Sequence, residues 1–218
     1  LFIFFFLFAF NQPGIGEEPP ITEAHKLLVK KNHLGNLKTP TKLKYIFKKT
    51  GSLEPPFNDR VIMIVPEKND KGVFNIQFDF FSGYNKEDLT SAQYKATNPI
   101  FHAFWDHDIK IMTRITEGSV VYFRKRITWS LSDVNKFNIN EATCEYEGKK
   151  LKGFKIEHSP YEDDYDSKRF EKYAKKKYFI TLCDDIPGMI YQMGTLIPDA
   201  SSETPLMKEI LTFEKILK

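Results

Sequence analysis

The strongest local signal in this chain of 218 residues lies in residues 73–81, where apolar and polar residues alternate strictly from residue 74 to residue 80. Because successive side chains of a β-strand point to opposite faces, this spacing predicts a strand with one buried face and one exposed face. The apolar members of the alternation are Phe74, Ile76, Phe78 and Phe80.

Further strands are predicted on both sides of this segment by alternation or by short apolar runs that end at turn residues. They cover residues 42–48, 60–65, 143–146, 151–156, 178–183 and 189–197, and residues 207–217 form a last strand or a helix. The connections are short, and residues 69–72 are typical of a hairpin turn. Strands joined by short turns cannot be parallel neighbours, so the sheet is predicted to be antiparallel.

The central part of the chain has helical spacing. Asn98 followed by Pro99 is typical of a helix start, and Ser119 can cap a second helix after a break at residues 116–118. The two apolar stripes are Phe101, Phe104, Trp105, Ile109, Met112 and Ile115, then Val120, Phe123, Ile127, Leu131 and Val134. A strand with Val121, Phe123, Ile127, Trp129 and Leu131 on one face is the alternative for the second stripe. Lys125 interrupts that face, so we favour the helix.

The order of these elements predicts an α+β fold. We expect a curved antiparallel sheet or incomplete β-barrel, with a central helical hairpin packed on its concave face. Residues 41–218 form a single globular domain of sufficient length to bury its own core. Residues 11–40 are rich in proline and glycine and are interpreted as a tether that contains one short helix at residues 22–31.

Residues 1–10 (LFIFFFLFAF) carry no polar or charged side chain. A run of this length suits the core of a signal peptide and falls short of the ~20 residues that span a bilayer. Cleavage, retention as an anchor and burial as an N-terminal strand are the three alternatives. The run predicts export to the periplasm or the outside of the cell, with a membrane contact only through this segment if it is not cleaved.

The two cysteines fit an exported protein. Cys144 and Cys183 can pair in an oxidising compartment, although two buried free thiols are an equally good interpretation. We expect them to lie on neighbouring strands.

Charge argues against one large class of partners. Thirty-two basic residues against 29 acidic residues give a net charge of +3, which is a mixed surface and does not predict nucleic-acid binding. A local basic patch of Arg114, Arg124, Lys125 and Arg126 could bind lipid phosphate, another anion or an acidic partner, or could be ordinary surface charge. With Trp105 and Phe123 beside it, this patch is the predicted binding site.

Residues 102–108 contain the densest group of chemically versatile side chains, His102, Asp106, His107 and Asp108. His102 and His107 are five residues apart and diverge by roughly 140° on a helix, so they do not share a metal ion. No nucleophile, phosphate-binding or dinucleotide motif is present. The acidic residues Glu162, Asp163, Asp164 and Asp166 lack the spacing of a calcium loop. We therefore predict no catalytic residue, metal site or cofactor.

From residue 42 to the C-terminus the chain resembles a group of exported bacterial proteins of unknown function. The resemblance is carried by residues 51–54 (GSLE), 98–99 (NP), 106–108 (DHD), 116–119 (TEGS), 122–127 (YFRKRI), 160–161 (PY) and 187–188 (PG). It implies a bacterial exported context and no chemistry.

Three functional hypotheses follow. The first is an exported, non-enzymatic protein that binds a hydrophobic or amphipathic ligand such as a lipid, because a ring-rich concave sheet with a helical plug is suited to it. The alternative is an envelope or secreted protein-interaction module that docks on a protein partner. The second alternative is a hydrolase that uses residues 102–108.

Overall fold

The computed structural model describes residues 21–89, 91–164 and 167–217. Residues 1–10 and 11–20, to which the predicted signal-peptide core and the first part of the predicted tether belong, lie outside the described residues.

Nine antiparallel strands form one open sheet, which confirms the predicted α+β class. The strands are β1 (Thr41–Gly51), β2 (Phe57–Val65), β3 (Phe74–Phe80), β4 (Ala92–Tyr94), β5 (Phe137–Tyr146), β6 (Lys149–His158), β7 (Lys177–Leu182), β8 (Ile190–Ile197) and β9 (Met207–Leu217). Their order across the sheet is β4-β3-β2-β1-β9-β8-β7-β6-β5. Residues 207–217 are therefore a strand, and the short edge strand β4 was not predicted.

The sheet has one buried face and one exposed face, as the alternation predicts. In β3, Phe74, Ile76 and Phe80 are buried, whereas Asn75 and Gln77 are exposed. In β1, Leu43, Tyr45 and Phe47 are buried, and Lys44 and Ile46 between them point the other way. The buried face therefore lies under the helices.

Four helices are described, namely α1 (Glu23–His25), α2 (Ile100–Thr116), α3 (Val120–Ser132) and α4 (Ser167–Phe170). A π-turn at Lys26–Lys30 extends α1, and single turns of 3₁₀-helix occur at His33–Asn36, Gly83–Asn85 and Glu171–Lys175. The predicted short helix at residues 22–31 is thus present, and the segment before β7 consists of α4 followed by a 3₁₀ turn.

The helical hairpin of α2 and α3 forms as predicted. Asn98 Oδ1 accepts a hydrogen bond of 3.0 Å from the backbone N–H of Ile100, and Ser119 Oγ accepts one of 3.1 Å from that of Tyr122. Phe123 is fully buried, whereas Val121 and Trp129 are 61% and 60% exposed. The alternative strand, which would bury all three together, is therefore wrong.

Aromatic rings fill the space between the sheet and α2. Phe81 contacts Phe47 and Phe80 with ring centroids 4.6 and 4.5 Å apart. Phe101 and Phe104 of α2 are buried against the same cluster. A second core lies between the hairpin and α4, where Phe123 contacts other rings with centroid distances of 5.2–5.6 Å.

The interpretation of residues 11–40 as a tether needs correction from Ile21 onward. Ala24, Leu28 and Leu34 are buried in the main core. Thr22 Oγ1 also donates a hydrogen bond of 2.6 Å to the carbonyl oxygen of Leu131, which ties this segment to α3. Proline and glycine indicate turns, but a turn can lie against a core. The signal for burial was the spacing of Ala24 and Leu28, which are four residues apart and therefore lie on one face of a helix.

Cys144 of β5 and Cys183, directly after β7, form a disulfide with Cα atoms 6.6 Å apart. The prediction that they lie on neighbouring strands is wrong, because β6 lies between β5 and β7. The bond passes over Gly153 of β6, where a Cβ atom would overlap Cys183 Sγ. The absence of a side chain at residue 153 therefore permits the crossing.

Replacing Phe123 by alanine is expected to lower the free energy of unfolding by about 3–5 kcal/mol, because it leaves a cavity in the second core. Val121→Ala, two residues away on the exposed side of α3, should change it by less than about 0.5 kcal/mol. Urea unfolding of both variants measures the difference. Equal effects would contradict the assignment of Phe123 to the core.

Removing the disulfide by replacing both cysteines with alanine is expected to lower the free energy of unfolding. The bond closes a loop with a sequence separation of 39 residues. On the chain-entropy account, such a loop contributes about 4 kcal/mol. Urea unfolding of the oxidised parent and the double variant measures this difference, and equal midpoints would contradict the expectation.

His158 should make stability depend on pH. Burial lowers the pKa of His158 from 6.5 to about 3. Its Nδ1 lies 2.7 Å from Ser130 Oγ, while its Nε2 has no hydrogen-bond partner among the described residues. Below about pH 6.5, the imidazole of His158 is therefore protonated in the unfolded chain but stays neutral in the folded chain. The free energy of unfolding consequently decreases as the pH falls from about 6.5 towards 3.

One proton corresponds to about 1.4 kcal/mol per pH unit, so the parent should lose stability between pH 6.5 and 5 more steeply than His158→Gln. Urea unfolding at several pH values measures both slopes. Carboxylates that titrate in both proteins cancel in the comparison, and parallel curves would refute the role of His158.

Candidate binding site on the helical hairpin

The structure separates the six residues of the predicted binding site. Phe123 is fully buried, so it cannot contact a ligand while the core is closed. Arg114 forms an ion pair of 2.6 Å with Glu54, near the far end of α2. Trp105 is half-buried, and Arg124, Lys125 and Arg126 lie on α3. Of these last four residues, only Trp105 and Arg124 line the same cavity.

The arginines of α3 differ in their partners. Arg124 pairs with Asp106 of α2 at 2.7 Å, and both side chains are largely exposed. Arg126 pairs with the buried Asp164 at 2.7 Å and donates a hydrogen bond of 3.0 Å to the carbonyl oxygen of Pro160. Arg126 therefore has a structural role, which the run of three cations could not reveal.

The four chemically versatile side chains of residues 102–108 do not converge. His102 Nδ1 lies 3.5 Å from the Tyr94 hydroxyl, and Asp106 pairs with Arg124. His107 pairs with Glu87, and Asp108 pairs with Lys176 and accepts a hydrogen bond from Tyr178. Within the described ranges, no three His, Cys, Asp or Glu side chains lie close enough to hold a metal ion.

A groove runs across the outer side of the hairpin. Its narrow part, with a volume of about 140 Å³, lies between α2 and α3 and is lined by Trp105 and Ile127 among others. Its wider part, with a volume of about 350 Å³, extends from α2 towards β3 and β4. The two parts share four lining residues, namely His102, Asp106, Ile109 and Arg124. We call the combined feature the hairpin groove.

The hairpin groove is amphipathic. Its apolar lining is Phe78, Leu89, Tyr94, Trp105, Ile109 and Ile127. Burial lowers the pKa of His102 from its ordinary value, so this ring is neutral at pH 7 and adds to the apolar character. Lys110 and Arg124, paired with Glu87 and Asp106, supply charge at the edge. The groove therefore has room for a hydrocarbon part and polar contacts for a head.

A buried polar network, which the sequence did not predict, lies beneath α2. Asp108 and Lys176 are both fully buried and form an ion pair. Burial alone would lower the pKa of Lys176, but Asp108 and Glu209 outweigh it and raise the pKa above its ordinary value. The Tyr178 hydroxyl donates to Asp108 and lies 3.0 Å from that of Tyr161. None of these residues lines the groove, so we assign the network a structural role.

A second surface feature lies on the outward side of α3. Val121, Lys125 and Trp129 are four residues apart and exposed, so they form one ridge along the helix. Arg126 lies with its guanidinium carbon 4.9 Å from the centroid of the Trp129 ring. We call this ridge the α3 face.

Of the helices in the described ranges, none is long and apolar enough to cross a membrane.

Comparisons with known proteins add little. No family model matches the chain. No curated protein matches it either. Among solved structures, the LppX lipoprotein of Mycobacterium tuberculosis aligns with 82% of this chain and 87% of its own, at 14% sequence identity and a TM-score of 0.32. A likeness at this level carries no argument about function.

Proposed function

We propose that this chain is an exported, non-enzymatic protein that binds a hydrophobic or amphipathic small molecule in the hairpin groove. The observation that carries the proposal is the amphipathic lining of the groove, which combines a group of apolar side chains with charged side chains. Small-molecule sites have this composition, with few polar groups on largely apolar walls.

The interior between sheet and helices is a poorer site. The rings of Phe47, Phe80 and Phe81 are in contact there, and Phe101 and Phe104 of α2 are buried against them. A ligand could enter only by moving these rings and giving up their packing. The proposal therefore assigns the ligand to the outer side of the hairpin and not to the sheet.

The groove favours an amphipathic ligand over a purely apolar one. Trp105, Ile109 and Ile127 offer apolar contacts for an acyl chain or a ring system. Arg124 and Lys110 are each more than half exposed, so a polar head can reach them without a large loss of hydration.

The disulfide supports the exported location. Disulfides persist in oxidising compartments and are rare in the cytosol, and both cysteines of this chain form one. The apolar residues 1–10 support the same location.

A hydrolase is not favoured. The four side chains of residues 102–108 that could act as acid or base are engaged by different partners on different sides of α2. Nucleophilic catalysis needs a nucleophile, a base and an orienting group within hydrogen-bond reach of one another. The geometry at α2 offers no such arrangement among the described residues.

The groove can be tested through tryptophan fluorescence, because the chain has only two tryptophans, Trp105 and Trp129. In the variant Trp129→Phe, the remaining Trp105 reports on the groove. Titration with sodium oleate below its micelle concentration is expected to give a saturable change in the intensity and wavelength of emission, because oleate replaces water beside the indole ring.

A further substitution at the wall of the groove tests whether oleate binds there. Val120 is 40% exposed and lines the groove, so Val120→Glu in the same background should weaken oleate binding by about tenfold or more, through a carboxylate placed beside the acyl chain. Val134 is 66% exposed and does not line the groove, which makes Val134→Glu the matched control. No saturable change, or equal affinities for the two variants, would count against the proposal.

A further inference from the structure

The sequence of α3 is unusual in having three cations and no acidic residue (VVYFRKRITWSLS). Its inward side is buried in the second core through Phe123 and Ile127. Its outward side, the α3 face, leaves Val121 and Trp129 61% and 60% exposed. The exposed tryptophan and valine lie on one ridge with a lysine between them, and the packing of the hairpin does not use this side of α3.

The three cations of α3 are not equivalent. Arg124 shares its charge with Asp106, and Arg126 with Asp164. Lys125 is exposed and forms no ion pair with any of the residues that the structure describes. The centre of the α3 face therefore carries an uncompensated positive charge with an apolar residue one turn to each side.

We propose that the α3 face docks on the surface of a lipid bilayer that contains anionic lipids. Indole rings lie by preference at the level of the headgroups, because one part of the ring is apolar and its N–H is polar. Lysine can bury its methylene stem while its ammonium group stays beside lipid phosphate. Val121 adds apolar area on the same ridge, which is the arrangement of a helix that lies in the plane of the interface.

A bilayer fits this face better than a second copy of the chain. A two-fold axis through the middle of the face would bring Lys125 opposite Lys125 of the other copy, with like charges at the centre of the interface. An anionic lipid surface, in contrast, complements the charge of Lys125. The α3 face is also distinct from the hairpin groove, because Val121, Lys125 and Trp129 do not line the groove. The proposal goes beyond ligand binding and does not depend on it.

The variant Trp105→Phe leaves Trp129 as the sole tryptophan and makes it a reporter of the α3 face. Vesicles of equal parts phosphatidylglycerol and phosphatidylcholine should shift the emission of Trp129 to shorter wavelength and reduce the quenching of its fluorescence by acrylamide. Vesicles of phosphatidylcholine alone should do neither. Added salt should weaken the binding, because it screens the attraction between Lys125 and the lipid phosphates.

Charge reversal at the centre of the face provides the decisive comparison. One unit of charge near an anionic membrane surface contributes about fivefold to partitioning, so Lys125→Glu should reduce binding to the anionic vesicles roughly 30-fold. Lys150→Glu makes the same change of charge at an exposed lysine near the start of β6, and should reduce binding less than about threefold. Both side chains are exposed, so neither variant is expected to affect folding.

Several outcomes would overturn the proposal. Equal binding to both kinds of vesicle would exclude the role of lipid charge, and equal effects of the two lysine variants would exclude the α3 face. A concentration-dependent dimer that Trp129→Ala dissociates in sedimentation velocity would assign the face to a second copy. Oleate titration of Lys125→Glu distinguishes the two proposals, because it should be unchanged even where vesicle binding is lost.

Discussion

The pairing of the first strand with the last holds this fold together. β1 and β9 lie side by side at the middle of the sheet, and their pairing joins β1–β4 on one side to β5–β9 on the other. The chain makes successive hairpins from β1 to β4 and from β5 to β9, so β4 and β5 lie at opposite edges. The segment between β4 and β5 must therefore pass from one edge of the sheet to the other. Helices α2 and α3, about 25 and 20 Å long, make the crossing and cover the buried face.

The crossing explains why charged residues are buried beneath α2. Asp108 of α2 pairs with Lys176 at the start of β7, and Lys49 of β1 pairs with Glu54 and with Glu209 of β9. Glu54 in turn pairs with Arg114 of α2, which joins the helix to the end of β1. A buried ion pair adds little net stability over apolar residues, but loss of one partner leaves a charge in an apolar interior at a large cost. We infer that these pairs fix where α2 lies on the sheet more than they add to the stability of the fold.

The elements of the fold could be predicted wherever one face of a segment is apolar. The alternation at residues 73–81 and the apolar stripe of α3 both report contact with a core. Phe123, Ile127 and Leu131 of that stripe are buried, whereas Val120 and Val134 at its two ends are exposed. β4 was missed because its three residues are too few to establish a period. The tether was misinterpreted because proline and glycine report backbone geometry and say nothing about burial. The sequence contains no local pattern that predicts an ion pair between residues as distant as Asp108 and Lys176. The same is true of the disulfide, which crosses Gly153 of β6.

The same limitation applies to the candidate site and shows why its two parts differ. A run of three cations on a helix predicts one basic patch, but the helical turn of about 100° per residue points each of them in a different direction. Arg126 turns inward to Asp164, Arg124 turns to α2 and borders the hairpin groove, and Lys125 points outward with Trp129. The two tryptophans also belong to different surfaces. Trp105 lines the groove, whereas Trp129 lies on the side of α3 that faces away from the core. Because rings fill the space between the sheet and the helices, the ligand site that we propose lies on the outer side of the hairpin, where a molecule can be bound without opening the core.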